Sequence, residues 1–295
     1  MKSWDGVELF YRAWRPERPS DKALLIFHRG HEHSGRMKEL VEDLRLEDFS
    51  IFAWDARGHG RSPGERGYAA DFSVLVRDVD AFVNFVARRH AIPIENMAVL
   101  AHSVGAVTVS GWVHDYAPPI RALVLATPAF RVKLYVPFAI PGLRLKQRLL
   151  GNGYVKSYVK AKLLTHDLNQ AESYHKDEFI FRQIADNILL DLYDVSTRIV
   201  KDAGAIHVPV LLLSAGSDWV VKLSTQREFF ERLFARAAPL RHRLPPAGLL
   251  LSRARKRTPE GRQGAQLLRP PGPGAREPGD PLEGFFVPAG LLGMQ

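Results

Sequence analysis

The 295-residue chain contains no cysteine, which excludes disulfide bonds, thiolate metal sites and cysteine nucleophiles. It also lacks a run of about 18 apolar residues, the length that a membrane-spanning helix requires. Its first residues lack the apolar segment of a signal peptide. With 46% hydrophobic and 25% charged residues, the composition is typical of a globular protein. We therefore expect a cytoplasmic protein.

The positive net charge is concentrated near the C-terminal end. The whole chain has a formal charge of +9, and residues 237–295 contain nine basic and four acidic side chains. More than half of the excess positive charge therefore lies in the last fifth of the chain. The rest is nearly balanced and does not indicate binding to nucleic acid.

Short apolar runs alternate with amphipathic segments along most of the chain. Buried strands are predicted at residues 23–28, 49–54, 97–101, 121–126 and 208–213. Continuous apolar strands separated by helices favour a parallel sheet with helices on both faces. The predicted fold class is thus α/β, with a doubly wound and mostly parallel sheet.

This alternation divides the chain into four parts. Residues 1–127 and 206–236 form the predicted core, and residues 128–205 form a helical cap inserted into it, with helices at the sheet edge as the alternative. Apolar residues beside Lys and Arg in this cap allow peripheral contact with a membrane, although a solvated cap is an equal alternative. Residues 237–295 contain ten of the 20 prolines, so we expect an irregular or disordered tail there.

The sequence AHSVG at residues 101–105 approximates the G-x-S-x-G turn of a nucleophilic serine. Small residues on either side of Ser103 let the preceding strand and the following helix approach closely. The alternative is a serine that caps an ordinary helix. The position of Ser103 between a predicted strand and a predicted helix favours a nucleophile.

A nucleophilic serine requires a base, an orienting acid and donors for an oxyanion. The backbone N–H groups of Val104 and Gly30 are the predicted oxyanion donors. Asp218 follows a late strand, where ligand sites of α/β proteins gather, and is the predicted acid. Its alternative role is that of an N-cap or turn residue.

Three histidines, His28, His31 and His33, are close together in the sequence HRGHEHSGR of residues 28–36. They raise the alternative of a metal site. Because Glu32 is the only carboxylate among them, we do not expect a metal there. No cofactor is predicted.

Four segments together resemble the branch of the α/β-hydrolases that contains monoacylglycerol lipases, lysophospholipases and serine aminopeptidases. They are residues 28–36, 55–67, 101–106 and 216–221, and the resemblance extends over roughly residues 1–236. It implies an acyl-ester hydrolase with a mobile cap over a lipid-like substrate. Some bacterial relatives that look similar carry this hydrolase as the N-terminal part of a longer polypeptide.

By matching positions, the resemblance assigns the nucleophile, the acid and the two oxyanion donors to Ser103, Asp218, Gly30 and Val104. The chain departs from the family pattern at two positions. Arg29 replaces the glycine of the family's His-Gly loop, and Ala101 replaces the first glycine of the serine turn.

The catalytic histidine that the family pattern requires after the acid is missing. Only His242 follows Asp218, and residues 239–246 around it resemble the strand before the catalytic loop. The loop itself is expected at residues 247–256, which contain no histidine. His242 is therefore a weak candidate, and no catalytic base is identified.

A frameshift before the tail would explain this absence. Read one nucleotide later, the codons of residues 249–254 permit the sequence Phe-Tyr-x-His-Glu. A genuine basic tail is the rival hypothesis. The sequence thus predicts a serine hydrolase of lipid-like esters, with an inactive fold that at most binds acyl ligands as the alternative. An aminopeptidase is a weaker third hypothesis.

Overall fold

The computed structural model describes residues 1–157, 159, 161, 164–165, 167–216 and 218–235, and the backbone of residues 248–252 and 265–268. The strands are β1 (Tyr11–Trp14), β2 (Ala23–Phe27), β3 (Ser50–Trp54), β4 (Met97–His102), β5 (Ala122–Ala126), β6 (Tyr154–Lys156), β7 (Gln183–Ala185), β8 (Val210–Ala215), β9 (Gly248–Ser252) and β10 (Ala265–Leu268). The α-helices are α1 (Lys38–Leu44), α2 (Phe72–His90), α3 (Val104–Tyr116), α4 (Ala139–Leu150), α5 (Leu168–Lys176), α6 (Asp186–Lys201) and α7 (Leu223–Ala235).

The predicted α/β fold with a mostly parallel sheet is confirmed. Within the described residues the main sheet has the strand order β1-β3-β2-β4-β5-β8-β9-β10. All neighbouring pairs from β3 to β9 are parallel, whereas β1 and β10 run antiparallel to their neighbours. The central strands are buried along their length, apart from the half-buried His102 at the end of β4, because helices cover both faces.

Two apolar clusters lie on the two faces of this sheet. The larger one joins strand residues to α2, α3, α6 and α7, with Phe82 and Trp112 among its buried side chains. The smaller one packs Leu40 and Val41 of α1 against the opposite face. Alternate residues of each buried strand therefore contribute to different clusters, as the period of a β-strand requires.

The region predicted as a helical cap, residues 128–205, also contains β structure. Strands β6 and β7 pair with each other in an antiparallel two-stranded sheet. Helix α6 lies in the same range, yet Ile199 and Val200 are buried in the larger core cluster. This packing favours an end of the cap before α6, while the division into domains stays a prediction.

Two short segments of the predicted irregular tail have a described backbone. The backbone of β9 pairs in parallel with β8, and β10 pairs with β9. Strand β9 also lies within residues 247–256, which we assigned to a loop. Its apolar sequence, Gly-Leu-Leu-Leu-Ser, suits a strand added beside β8, so β8 does not form the edge of the sheet.

None of the helices in the described ranges has both the length and the apolar character needed to cross a bilayer.

Candidate active site

Ser103 lies at the sharp turn between β4 and α3. Its backbone angles are φ 54° and ψ −115°, a combination that L-residues rarely adopt. Three backbone hydrogen bonds fix this turn. The Ser103 N–H donates to Ala126 O at 3.0 Å, and the Ser103 carbonyl accepts from Val107 N at 3.3 Å and Ala129 N at 3.1 Å. The surrounding sheet thus stabilises the strained turn that the sequence predicted.

The two small residues that flank Ser103, Ala101 and Gly105, are required to different degrees. A Cβ atom at Gly105 would lie 2.3 Å from the carbonyl oxygen of His28, so only glycine fits where α3 passes the end of β2. Ala101 is fully buried and paired with Phe27 in the parallel ladder. Its methyl group is accommodated in the core, so the departure from glycine leaves the turn intact.

Gly30 and Val104 lie next to each other. A Cβ atom built on Gly30 would be 3.2 Å from Cγ2 of Val104, the residue after Ser103. The loop after β2 therefore approaches the start of α3. This proximity is what two oxyanion donors would require, and their role stays a prediction.

The loop after β2 is held by a buried carboxylate to which the sequence analysis gave no role. Asp55, which follows β3, accepts hydrogen bonds from Ser34 N at 2.6 Å and from Arg61 N at 2.8 Å. Gly60 packs so closely on this carboxylate that a Cβ atom would lie 2.2 Å from Oδ2. The position of Asp55 at the end of a buried strand was the available signal, because polar residues there gather at the same sheet edge.

Asp218 follows β8, which is separated from β4 by β5 in the sheet. Its carboxylate accepts hydrogen bonds from Val220 N at 2.7 Å and from Val221 N at 2.8 Å. Burial raises the pKa of Asp218, although these two N–H groups and the charge of Lys133 act in the opposite direction. The contacts are those of a turn residue, and the catalytic role of Asp218 stays a prediction.

Backbone hydrogen bonds bring the Ser103 turn and the strand before Asp218 to one edge of the sheet. Ser103 N bonds to the end of β5, and Thr127 N, just after β5, donates to Leu213 O at 2.7 Å. The following segment continues along this edge, where Lys133 N donates to Val220 O at 2.8 Å. The carboxyl ends of parallel strands thus meet here, as in other α/β ligand sites.

An apolar cavity of about 10 Å³ lies beside this segment. It is bordered by the chain after β5, by the start of α4 and by α6. Its apolar lining residues are Ala129, Val132, Leu134, Ile140, Leu189 and Leu192. Because Ala129 also bonds to the Ser103 carbonyl, the cavity is adjacent to the serine turn.

Several histidines near the site are engaged by backbone or carboxylate groups. His28 Nδ1 lies 2.7 Å from Arg29 O and His28 Nε2 accepts from Ala56 N at 3.0 Å, while His33 Nε2 lies 2.9 Å from Asp177. Burial lowers the pKa of His102 to about 3, so this ring is neutral at pH 7. The hydrogen bonds of Ser103 in the described part of the chain involve its backbone N–H and carbonyl. His242 lies outside the described residues.

No group of three or more histidine, aspartate and glutamate side chains is placed to hold a metal ion within the described residues. The rings of His28 and His33 are already engaged by backbone groups and by Asp177. This explains why His28, His31 and His33 do not form a metal site. His31 has a positive φ of 71°, and burial lowers its pKa to about 4.

Comparisons with known proteins agree with this fold. The sequence profile of the family described as serine aminopeptidase, S33, matches residues 18–242. Human monoglyceride lipase is 31% identical over 222 residues, which cover 72% of this chain and 71% of the lipase. A monoacylglycerol lipase structure from Paleococcus ferrophilus has a TM-score of 0.71 at 23% identity, with 84% of this chain and 89% of that chain covered.

A longer relative extends beyond this chain. The Escherichia coli protein described as uncharacterized protein YnbC is 51% identical over 244 residues. These residues are 82% of this chain but 41% of YnbC, so the chain spans less than half of that relative. The family match and the α/β-hydrolase fold lead to one conclusion: the chain belongs to the serine aminopeptidase S33 family of α/β-hydrolases.

Proposed function

We propose that this protein is a serine hydrolase that cleaves carboxylic esters of lipid-like substrates, of the monoacylglycerol or lysophospholipid type. The observation that carries the proposal is the strained turn at Ser103, which lies at the carboxyl end of a central strand. Such a turn exposes the hydroxyl oxygen and aims the N–H groups around it at a reacting carbonyl.

In the proposed reaction, Ser103 Oγ attacks the ester carbonyl carbon and its proton passes to a base. The N–H groups of Gly30 and Val104 stabilise the oxyanion, and the C–O bond to the alcohol breaks as the alcohol takes up the proton. Water then takes the place of the alcohol and attacks the acyl carbonyl while the base accepts its proton. The bond to Ser103 Oγ breaks as this oxygen regains a proton from the base, and the acid is released. Asp218 orients this base. Among the described residues, no histidine is bonded to Ser103 and could serve as the base.

Lipid-like substrates are supported by the names of relatives. Besides human monoglyceride lipase, Phospholipase YtpA of Bacillus subtilis is 25% identical over 214 residues, 70% of this chain and 80% of YtpA.

Helix α4 supports the predicted contact of the cap with a lipid surface. Phe138, Leu149 and Leu150 are 84%, 70% and 80% exposed. Arg144 and Arg148 lie on the same helix. Apolar side chains beside cations are typical of helices that lie at a membrane interface.

The alternative is a truncated or inactive hydrolase fold that binds acyl ligands without cleaving them. It is favoured by the absence, among the described residues, of a histidine bonded to Ser103. The family match ends at residue 242, close to the change in composition, and this supports a frameshift before the tail.

The experiment compares the parent chain, Ser103→Ala and Ser110→Ala for reaction with a fluorophosphonate probe and for hydrolysis of p-nitrophenyl esters. Ser110 is a matched control, since it is a buried serine of the same helix. We expect slow labelling of the parent and of Ser110→Ala, none of Ser103→Ala, and ester turnover close to background.

A chain in which residues 237–295 are replaced by the continuation in the shifted frame should hydrolyse the esters at least ~10³-fold faster, because it regains a base. Absence of labelling in the parent would contradict the assignment of Ser103. Robust turnover by the parent that Ser103→Ala abolishes would instead show that another group supplies the base, and our account of the tail would be wrong.

A further inference from the structure

The loop after β2, residues 28–36, carries the proposed oxyanion donor Gly30 and is bonded to the core near both of its ends. At its start, the N–H of Ala56 donates to His28 Nε2 at 3.0 Å. Near its end, the buried carboxylate of Asp55 accepts a backbone hydrogen bond from the loop at 2.6 Å. Gly30 lies between these two contacts, so its position also depends on what holds the middle of the loop.

The side chain of Asp177, a residue of the cap, is bonded to this loop through His33. Because His33 Nδ1 accepts a hydrogen bond from Gly35 N at 3.1 Å, the proton of the ring is on Nε2. This Nε2–H donates to Asp177 Oδ2 at 2.9 Å. The side chains of His33 and Asp177 are only 11% and 16% exposed. Water therefore competes little for the bond that joins the cap to the loop.

Arg36 is a second link between the loop and the cap. Its Nη1 lies 3.5 Å from the same Asp177 oxygen, Oδ2, and donates to Ser173 Oγ at 3.2 Å. Its Nε donates to Glu32 within the loop at 3.1 Å. Asp177 thus contacts two side chains of the loop at once, those of His33 and Arg36.

The backbone of the cap contacts the residue that directly follows Gly30. Phe181 N donates to His31 O at 3.4 Å, and His31 has a φ of 71°, which is unfavourable for a residue with a side chain. Asp177 shapes the turn before Phe181, because its second oxygen, Oδ1, accepts from Phe179 N at 3.0 Å. One carboxylate therefore holds both this turn of the cap and the loop that the turn contacts.

These contacts bear on the proposed reaction because an oxyanion donor acts only at short range. Its N–H group must lie about 2.7–3.1 Å from the oxyanion, and a misplacement of about 1 Å can cost ~10²-fold in rate. Gly30 has no side chain of its own to hold it, so the rest of the loop places its N–H. Contacts from the cap at His31 and His33 therefore contribute to the geometry of the oxyanion site.

We propose that Asp177 is a positioning residue: from the cap, it holds the loop after β2 so that the Gly30 N–H points at the oxyanion. This inference rests on the proposed function, because the oxyanion forms only if Ser103 attacks an ester. The cap is then part of the catalytic machinery as well as a cover over the substrate, and an ester at Ser103 reacts fastest while the cap is docked on this loop.

The test is the labelling of the full chain by an alkyl fluorophosphonate, whose phosphoryl oxygen occupies the oxyanion position. Labelling at a series of probe concentrations gives a maximal rate constant, kinact, and the probe concentration at half of this rate, KI. In Asp177→Ser the shorter side chain still caps the turn at Phe179 N but does not reach His33. This variant should lower kinact at least about tenfold, a part of the 10²–10³-fold that the loss of a whole oxyanion donor costs. KI should stay within about twofold, because Asp177 acts on the loop and not on the probe.

Asp177→Asn should rescue the reaction. Its amide oxygen accepts from His33 Nε2 in place of the carboxylate, so kinact should lie within about threefold of the parent. Asp194→Ala is the control, because Asp194 pairs with Arg144, outside the loop, and their side chains are 58% and 53% exposed. It should be labelled like the parent.

Thermal unfolding of the same samples separates positioning from a general loss of stability. If Asp177→Ser does not fold, His33→Leu cuts the same link from the side of the loop and should give the same loss of kinact. An unchanged kinact in the folded variant would overturn the inference. An equal loss in Asp177→Ser and Asp177→Asn would also overturn it, because the bond to His33 would then not be what holds the loop.

The same measurement distinguishes this inference from the proposed function. Labelling of the parent at Ser103 that Asp177→Ser leaves unchanged refutes the positioning role alone. A parent that is not labelled at Ser103 refutes the proposed function, and the positioning role falls with it.

Discussion

Helices α3 and α4 have nearly equal lengths of 13 and 12 residues but very different surroundings. Every residue from Ala106 to Val113 of α3 is buried, between the sheet on one side and α2 and α6 on the other. No residue of α4 is buried, and its leucines at positions 149 and 150 face outward. Apolar side chains alone therefore do not decide burial in this protein.

The two helices therefore contribute differently to the protein. Helix α3 holds the strained turn at Ser103, and tight packing is what keeps an unfavourable backbone conformation in place. Helix α4 packs against α6 and presents apolar and basic side chains on its exposed side. We expect substitutions in α3 to affect stability and those in α4 to affect surface interactions.

Trp112→Ala should give the largest effect. Trp112 is 1% exposed, and its indole N–H donates to Asp80 at 3.0 Å. The cavity and the lost hydrogen bond should lower the free energy of unfolding by about 3–5 kcal/mol, measured by urea denaturation. Leu149→Ala should change it by less than about 0.5 kcal/mol, because Leu149 is exposed.

The exposed leucines of α4 are also expected to contact a lipid surface. A double substitution of Leu149 and Leu150 by glutamine should leave the unfolding curve unchanged and reduce sedimentation with anionic vesicles. A loss of stability in this double variant would show that α4 packs more closely than its exposure indicates.

Two glycines provide a matched pair with smaller effects. Gly105→Ala in α3 would place a Cβ atom 2.3 Å from a backbone oxygen, and the resulting overpacking should destabilise the fold by about 1–3 kcal/mol. Gly142→Ala in α4 meets nothing within 4 Å and should stabilise it by about 0.5–1 kcal/mol, because alanine favours helices. Thermal unfolding of both variants checks the signs, and equal signs would contradict the comparison.

The loops after β2 and β3 and the last residue of β4 also differ from α4 in their response to acid, because they carry buried histidines. Burial lowers the pKa of His31, His59 and His102 to about 4, 3 and 3, whereas unfolded histidine has a pKa of about 6.5. Below that value the unfolded chain binds more protons than the folded chain. Stability is therefore fully present above pH 6.5 and is lost as the pH falls toward 4.

His102→Gln should reduce the loss of stability between pH 7 and pH 5 by about 2 kcal/mol. The exposed His207 is the matched control, and His207→Gln should follow the parent. Thermal denaturation at a series of pH values measures both. The same loss in the parent and in His102→Gln would contradict neutral burial of this histidine.

The central strands were predictable because their apolar runs are continuous. The run predicted at residues 97–101 forms β4 (Met97–His102), and the run at 23–28 forms β2 (Ala23–Phe27). The sequence analysis missed β6 and β7, which are three residues long and carry no clear alternation. It also missed β9, because proline-rich surroundings obscured a short apolar segment.

The sequence by itself determined the order of strands and helices and the turn at Ser103, since hydrophobic periodicity and small residues act between near neighbours in the chain. Only the tertiary structure decided which apolar helix is buried and which is exposed. It also brought Arg29 and Arg36 against Tyr174 and Arg182, although well over a hundred residues separate the two pairs. Such contacts depend on how the cap packs on the sheet, and no local pattern encodes that arrangement.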